Sequence, residues 1–260
     1  MIKNLQPKIK AVLLDMDGVL WRDNTPLVDL PFAFQRMEEL DLKVRLLTNN
    51  QTKTPDQFAE KLAKFGVSVP PSTIITSPMA VVYLLKKRFP NPGPVYIIGE
   101  TGTFTALESA GFYFSEDNPL AVIVGFDRNI TFEKFKKANM LIRSGIPFYG
   151  TNPDYTFPTP EGLIPGSGPF IAFVQAASGQ EPIIAGKPSP YLFDLCFDEL
   201  NLAPEEIIGI GDRLETDILG AQKAGCRSGL VLSGVATIND AQKWTPQPDL
   251  IATDLLQILG

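Results

Sequence analysis

Four apolar runs in this 260-residue chain each stop at a polar group suited to phosphate chemistry. Leu13-Leu14 leads into Asp15-Met16-Asp17-Gly18, Leu46-Leu47 into Thr48-Asn49-Asn50, Ile183-Ile184-Ala185-Gly186 into Lys187, and Ile208-Gly209-Ile210 into Gly211-Asp212, with Asp217 shortly after. Carboxylates can attack, move protons or hold a cation; a hydroxyl and amides can donate to phosphoryl oxygens; an ammonium supplies fixed positive charge. Each piece alone has a plainer account. Asp-x-Asp recurs in sugar-nucleotide enzymes and in turns, Thr-Asn-Asn reads as a turn, Gly-Lys-Pro as a solvated loop lysine, and Thr216 and Asp217 as helix caps. Coincidence explains the whole set, in this order, poorly.

Composition removes several chemistries. The chain has no histidine, which excludes a Ser-His-Asp triad, a His-ligated zinc and a phosphohistidine. Acid–base steps must therefore come from carboxylates, lysine or tyrosine. Cys196 and Cys226 form no metal-spacing motif, and neither has an Arg six residues on, so both read as small buried apolar residues. With 23 Lys+Arg against 29 Asp+Glu, a net charge of -6 and no basic run, nucleic acid is excluded as a partner. The first apolar run, Ala11 to Leu14, is too short for a signal peptide or a membrane span, so the chain is expected in the cytoplasm, away from membranes.

The elements that must position these groups follow from periodicity. Hydrophobic residues are 44% of the chain and charged residues 20%, ordinary for a globular protein with a substantial core. Short β-rich apolar runs alternate with amphipathic stretches, the pattern of an α/β fold with a mainly parallel sheet. Strands are predicted at Ala11–Leu14, Val44–Leu47, Val95–Ile98, Ala121–Val124, Pro147–Gly150, Ile183–Ala185, Ile207–Ile210 and Gly229–Leu232. A helix is predicted after Thr131 as N-cap, carrying Phe132, Phe135, Ala138 and Ile142 to a stop at Gly145; another is predicted after Thr216, ending at Gly225. In open α/β sheets ligands bind outside the carboxyl ends of the strands, so groups far apart in sequence can converge there. The Pro/Gly-rich Phe89–Pro94 and the Ser178–Pro182 segment look like seams. They enclose roughly ninety residues with their own strand and helix alternation, enough for a small inserted domain. The expected division is a core of 1–88 and 182–260 and an insertion of 89–181.

The ordered set resembles the four motifs of the haloacid dehalogenase-like (HAD) hydrolases: Asp15-Met-Asp-Gly-Val, Thr48, Lys187, and Gly211-Asp212 to Asp217. Within that superfamily Leu47-Thr-Asn-Asn50, Gly150-Thr-Asn-Pro-Asp154, Pro165-Gly-Ser-Gly168, Gly186-Lys-Pro-Ser-Pro190 and Gly211-Asp-Arg-Leu-Glu-Thr-Asp217 are similar to class IIA. That branch holds 4-nitrophenyl, pyridoxal, phosphoglycolate and bacterial nucleotide and sugar phosphatases. The similarity runs nearly end to end. It implies a Rossmann-like core with an inserted α/β cap between the second and third motifs, and a Mg²⁺-dependent phosphatase acting on a small phosphorylated metabolite. It further implies Asp15 as nucleophile, Asp17 as acid and base, and Thr48, Asn49, Asn50 and Lys187 as holders of the phosphoryl group. Mg²⁺ would take the Asp15 and Asp212 carboxylates, the Asp17 backbone carbonyl, a phosphate oxygen and water, with Asp217 behind that shell, orienting water or Lys187. Pairing of two copies through the cap is also a habit of the family.

Specificity would lie in the cap. Asp154–Pro158 is similar to the family's specificity loop, where pyridoxal phosphatases carry a histidine and this chain has Phe157; a Pro-braced turn packed on the cap is the competing account. Trp21 and Arg22 read as a packed indole and a solvated guanidinium, with the entrance to the site as the other reading. The rival functions are a phosphomutase of the same superfamily, a dehalogenase, and a non-catalytic receiver-like phosphoacceptor. Receivers place an acidic pair before the phosphorylated Asp and lack an inserted domain. A nucleotide-binding Rossmann protein would need a third glycine where Leu214 stands.

Overall fold

The computed structural model describes residues 1–159 and 161–260, with every described side chain but that of Pro158. The chain divides into two compact units: Met1–Thr48 with Pro55–Ile75 and Lys187–Gly260, and Asn49–Thr54 with Thr76–Gly186.

The first unit is built on a six-stranded sheet in the order Leu250–Ala252, Arg227–Val231, Ile207–Gly211, Ala11–Asp15, Lys43–Thr48, Ile74–Thr76. From Leu250–Ala252 to Lys43–Thr48 every pairing is parallel, with Leu14 opposite Ile210 on one side and Asp15 opposite Leu47 on the other. Ala11, Val12, Leu13 and Leu14 are all buried, as expected of a central parallel strand covered on both faces. The core joins Leu14, Met16, Trp21, Leu46, Phe58, Ile74, Ile208 and Ile210. Helix Leu30–Glu39 starts where Asp29 accepts from Phe32 N at 3.0 Å, with proline in its first turn.

The second unit has a five-stranded sheet in the order Ile183–Ile184, Phe148–Gly150, Val122–Val124, Pro94–Ile98, Tyr113–Phe114, parallel throughout. An antiparallel pair, Thr156–Thr159 with Gly162–Pro165, forms a separate two-stranded sheet. Its core gathers Tyr96, Ile98, Val122, Val124, Ala138, Ile142, Phe148, Ile171 and Val174. Helix Phe132–Arg143 begins as expected, with Thr131 accepting from Lys134 N at 3.3 Å, but Phe132 is 71% exposed because the buried stripe starts a turn later.

The division differs from the expected one at both ends. Phe89–Pro94 is a connection inside the second unit, because helix Ser77–Arg88 packs on helix Thr101–Ser109 of that unit. Ile183–Ile184 is an edge strand of the second sheet, paired with Tyr149 and Gly150, and Gly186 N still donates to Thr151 O at 2.8 Å. Lys187 therefore does not follow a strand of the Asp15 sheet, as the run of apolar residues before it suggested; it is the first residue of the chain's return to the first unit. The helix expected after Thr216 is also different. A π-helical turn, Leu214–Ile218, precedes α-helix Leu219–Ala224, and Thr216 lies inside that turn. Its start is capped from within, by Asp217 Oδ2 accepting from Arg213 N at 3.1 Å.

Candidate active site

Three strands of the first sheet present their C-terminal ends side by side, and each delivers one sequence-predicted group: Asp15, Thr48 and, just past Gly211, Asp212. Lys187 joins them from the returning chain. Its Nζ lies 2.5 Å from Asp15 Oδ1 and 2.6 Å from Asp217 Oδ1, and 3.5 Å from Leu47 O. The carboxylates of Asp15, Asp212 and Asp217 bring oxygens within 4.8 Å of one another. Thr48 is buried at the end of its own strand, where the register sets its neighbour Leu47 opposite Asp15.

Glycines make the room. A Cβ on Gly18 (φ +89°) or on Gly234 would collide with the Asp212 carboxylate, and one on Gly211 with Asp217. Gly18 also allows the sharp departure of the chain after Asp17, at a positive φ that other residues rarely adopt.

The electrostatics are unbalanced. Like charges about 4 Å apart cost about 4 kcal/mol at an effective dielectric of about 20. One ammonium faces the cluster. Burial would lower the Lys187 pKa, but Asp15 and Asp217 more than offset this and hold it protonated, above the usual lysine value. Burial pushes the Asp15 carboxyl well up, only partly offset by Lys187, with Asp217 and Asp212 adding to the rise. Asp212 is pushed up to about 6, first by burial and then by Asp217. Asp212 Oδ2 accepts from Val235 N at 2.8 Å, whereas its Oδ1 is buried without a hydrogen-bond partner. An orphaned buried carboxylate oxygen is expensive unless a cation completes it. Asp217 differs: Lys187 and Arg213 N occupy its two oxygens. The donor set suits a small hard cation, with Asp15 and Asp212 better placed to ligate than Asp217.

The remaining sequence-predicted residues divide. Asp17 is exposed, and its Oδ1 accepts from the Trp21 indole N–H at 2.8 Å, a partner that the sequence did not reveal. Arg22 is exposed but not simply solvated; it donates to Ser233 O at 2.9 Å. Asn49, Asn50 and Phe157 belong to the second unit. Asn49 Nδ2 donates to Asp154 Oδ1 at 3.1 Å, and Asn50 Oδ1 accepts from Thr52 N and Thr52 Oγ1 at 3.0 and 2.8 Å. Phe157 stacks on Phe126, ring centroids 5.3 Å apart, with the Arg128 guanidinium 5.8 Å from its centroid. The packed account of Phe157 has this geometry behind it. Gln51, unremarked in the sequence, is buried in the same unit, accepting from Thr103 Oγ1 at 3.0 Å and donating to Ser167 Oγ. Cys196 and Cys226 are free, buried thiols; burial pushes both up, Cys226 to about 12, and neither is near a reactive state.

A parallel α/β core with Asp15, Asp212, Asp217 and Lys187 gathered at the C-terminal ends of its strands fits a phosphohydrolase. Known proteins agree with that class. Residues 12–113 match the model of the haloacid dehalogenase-like hydrolases, and residues 184–258 a second, HAD-hydrolase-like model. The chain is 32% identical over 248 residues to the dihydroxyacetone phosphatase of Corynebacterium glutamicum, covering 95% of this chain and 90% of that protein. It is likewise 32% identical over 255 residues to the acid sugar phosphatase of Staphylococcus aureus, covering 96% and 97%. The crystal structure of 4-nitrophenylphosphatase from Thermotoga maritima superposes with a TM-score of 0.91 at 31% identity, covering 96% of each chain. The chain belongs to the haloacid dehalogenase-like hydrolase family, in class IIA, and is a phosphoric monoester hydrolase.

Proposed function

We propose that the protein is a Mg²⁺-dependent phosphatase of small phosphorylated metabolites, of the sugar or triose phosphate kind, working through an aspartyl-phosphate on Asp15. The single observation that carries the reading is the cluster of Asp15, Asp212 and Asp217 around one ammonium, with Asp212 Oδ1 left without a partner. The substrate class rests on the names of two relatives, a dihydroxyacetone phosphatase and an acid sugar phosphatase.

Asp15 attacks phosphorus as the bond to the leaving oxygen breaks, which splits one difficult displacement into two easier ones. Lys187 holds Asp15 through Oδ1 and offsets negative charge as the phosphate dianion arrives, while Asp217 holds Lys187. Mg²⁺, bound by the Asp15 and Asp212 carboxylates and the Asp17 backbone carbonyl, would neutralise charge on the transferring group. Thr48 donates its hydroxyl to a phosphoryl oxygen, with backbone N–H groups at Asn49 and Asn50 as further donors, since the side chains of those two residues are engaged elsewhere. Asp17 protonates the leaving alcohol and then takes a proton from the water that cleaves the acyl-phosphate.

The second unit acts as the cap that selects the leaving group, and Phe157, stacked on Phe126, contributes an apolar wall there. By family resemblance alone, we extend the proposal to pairing of two copies through this unit and to a cytoplasmic location. Among the described residues no helix is long and apolar enough to cross a membrane. The test is phosphate release from sugar phosphates, dihydroxyacetone phosphate, glycerol phosphate, nucleoside monophosphates, phosphoglycolate and pyridoxal phosphate, with and without Mg²⁺. Turnover of phosphosugars that needs Mg²⁺ and falls by about a thousandfold or more in Asp15→Asn is expected. Undiminished turnover in that variant would sink the nucleophile assignment.

A further inference from the structure

The loop after Asp15 is closed on itself by one residue. Trp21 O accepts from Gly18 N at 2.8 Å, and Trp21 N donates to Met16 O at 3.3 Å. The indole N–H of the same residue donates to Asp17 Oδ1 at 2.8 Å. The ring is fully buried, lies 5.9 Å from the Phe65 ring, and carries Lys61 Nζ 4.2 Å from its centroid. Asp17 is exposed, and an exposed carboxylate is otherwise free to change rotamer. A buried indole cannot follow it, so the donor is fixed in space and the acceptor must come to it. Ser233 Oγ adds a 2.7 Å hydrogen bond to Gly18 O, which holds the same turn from the neighbouring loop.

We propose that Trp21 is a positioning residue for proton transfer: its indole N–H holds Asp17 through Oδ1, so that Oδ2 is the oxygen that exchanges the proton. The inference rests on the reading of Asp17 as acid and base. In the first step the Asp15–phosphorus bond forms, the bond from phosphorus to the leaving oxygen breaks, and the Oδ2 proton passes to that oxygen. In the second, water attacks the acyl-phosphate, phosphate leaves Asp15, and the proton lost by water returns to Oδ2. The indole donates to Oδ1 in both states, because Oδ1 is an acceptor whether or not Oδ2 carries a proton. In the first step, orientation of the acid matters only where the leaving oxygen needs a proton. An alkyl phosphate needs one; 4-nitrophenyl phosphate, whose leaving group is stable as an anion, does not.

The experiment compares single-turnover rates on glycerol phosphate and 4-nitrophenyl phosphate, with Mg²⁺, for wild type, Trp21→Phe, Asp17→Asn and the double variant. Trp21→Phe is expected to slow glycerol phosphate cleavage about tenfold or more while changing 4-nitrophenolate release less than about twofold. In the Asp17→Asn background it should add no further loss on glycerol phosphate, because the residues act as a unit. Replacement of Trp21 by benzothienylalanine, which keeps the bicyclic shape without the N–H, should reproduce the selective loss in a protein of unchanged melting temperature. Phe65→Leu, which loosens the ring but leaves its donor, should not. Equal losses on both esters, or none on either with Asp17→Asn still defective, would overturn the positioning role. Retained glycerol phosphate cleavage in Asp17→Asn itself would instead remove the acid–base assignment beneath it.

Discussion

Each unit buries a polar cluster, and the two are built on opposite terms. In the second unit the cluster is built mainly of neutral groups that pair with one another, with Asp154 at its edge accepting from Asn49 and Thr151 Oγ1 left without a partner beside Gln51. Gln51 is held by Thr103 and Ser167, and Asn49 O accepts from Ser77 Oγ at 2.8 Å and Asn152 Nδ2 at 2.7 Å. In the first unit the cluster is charged and does not close, since Lys187 serves Asp15 and Asp217 while Asp212 keeps a buried oxygen without a partner. Neutral groups that satisfy one another are cheap to bury and fix a loop; charges that do not balance are costly and persist where chemistry needs them. The difference separates residues that hold the motif loops from those left available to a ligand, a separation that motif order alone does not make.

Breaking the charged cluster should cost the most. Lys187→Met removes the ammonium and leaves Asp15 and Asp217 facing each other in a buried site, so a loss of about 3–5 kcal/mol is expected in urea unfolding at neutral pH, together with loss of turnover. A loss under about 1 kcal/mol would mean that water already screens the carboxylates. Gln51→Leu probes the neutral cluster. It keeps the shape and strands the Thr103 and Ser167 hydroxyls, for a loss of about 2 kcal/mol. The pair sharpens the contrast: the first variant should lose stability and chemistry together, the second stability with kcat within a fewfold of wild type.

The strand ends of the candidate site were legible because apolar runs that halt at a carboxylate, a hydroxyl and a carboxylate, in that order, are poorly explained as separate turns. Asp15, Thr48 and Asp212 were read correctly as strand-end groups for that reason. Lys187 reached the same cluster by a route that periodicity misassigned. Ile183–Ile184 looks like any short buried strand, and only its pairing with Tyr149 and Gly150 shows which sheet it joins. Strands Ile74–Thr76 and Leu250–Ala252 were missed, being too short to show alternation. Thr216 was the natural cap by residue type, yet Asp217 took the Arg213 N–H from inside the turn while also gripping Lys187. Partners such as Trp21 for Asp17 and Thr103 for Gln51 depend on rotamers and on the path of the backbone, neither of which residue type specifies.

The smallest effect expected is the most direct test of why the charged cluster stays open. If the Asp212 oxygen awaits a cation, Mg²⁺ alone should raise the melting temperature, while leaving the Asp212→Asn variant unmoved. At ten times its dissociation constant the gain is about 1.4 kcal/mol, or a few degrees for a chain of this size. The sign with pH follows from the raised Asp212 value. With its carboxyl pushed up to about 6, the metal-free protein carries a proton there at pH 5 and has lost it by pH 7.5. At pH 5 the cation must displace that proton, and at pH 7.5 it meets a carboxylate already ionised and unpaired. The Mg²⁺-induced rise should therefore be smaller at pH 5 than at pH 7.5. A rise that is equal at both pH values, or that survives Asp212→Asn, would place the ion elsewhere on this acidic chain and leave the open oxygen of Asp212 without its explanation.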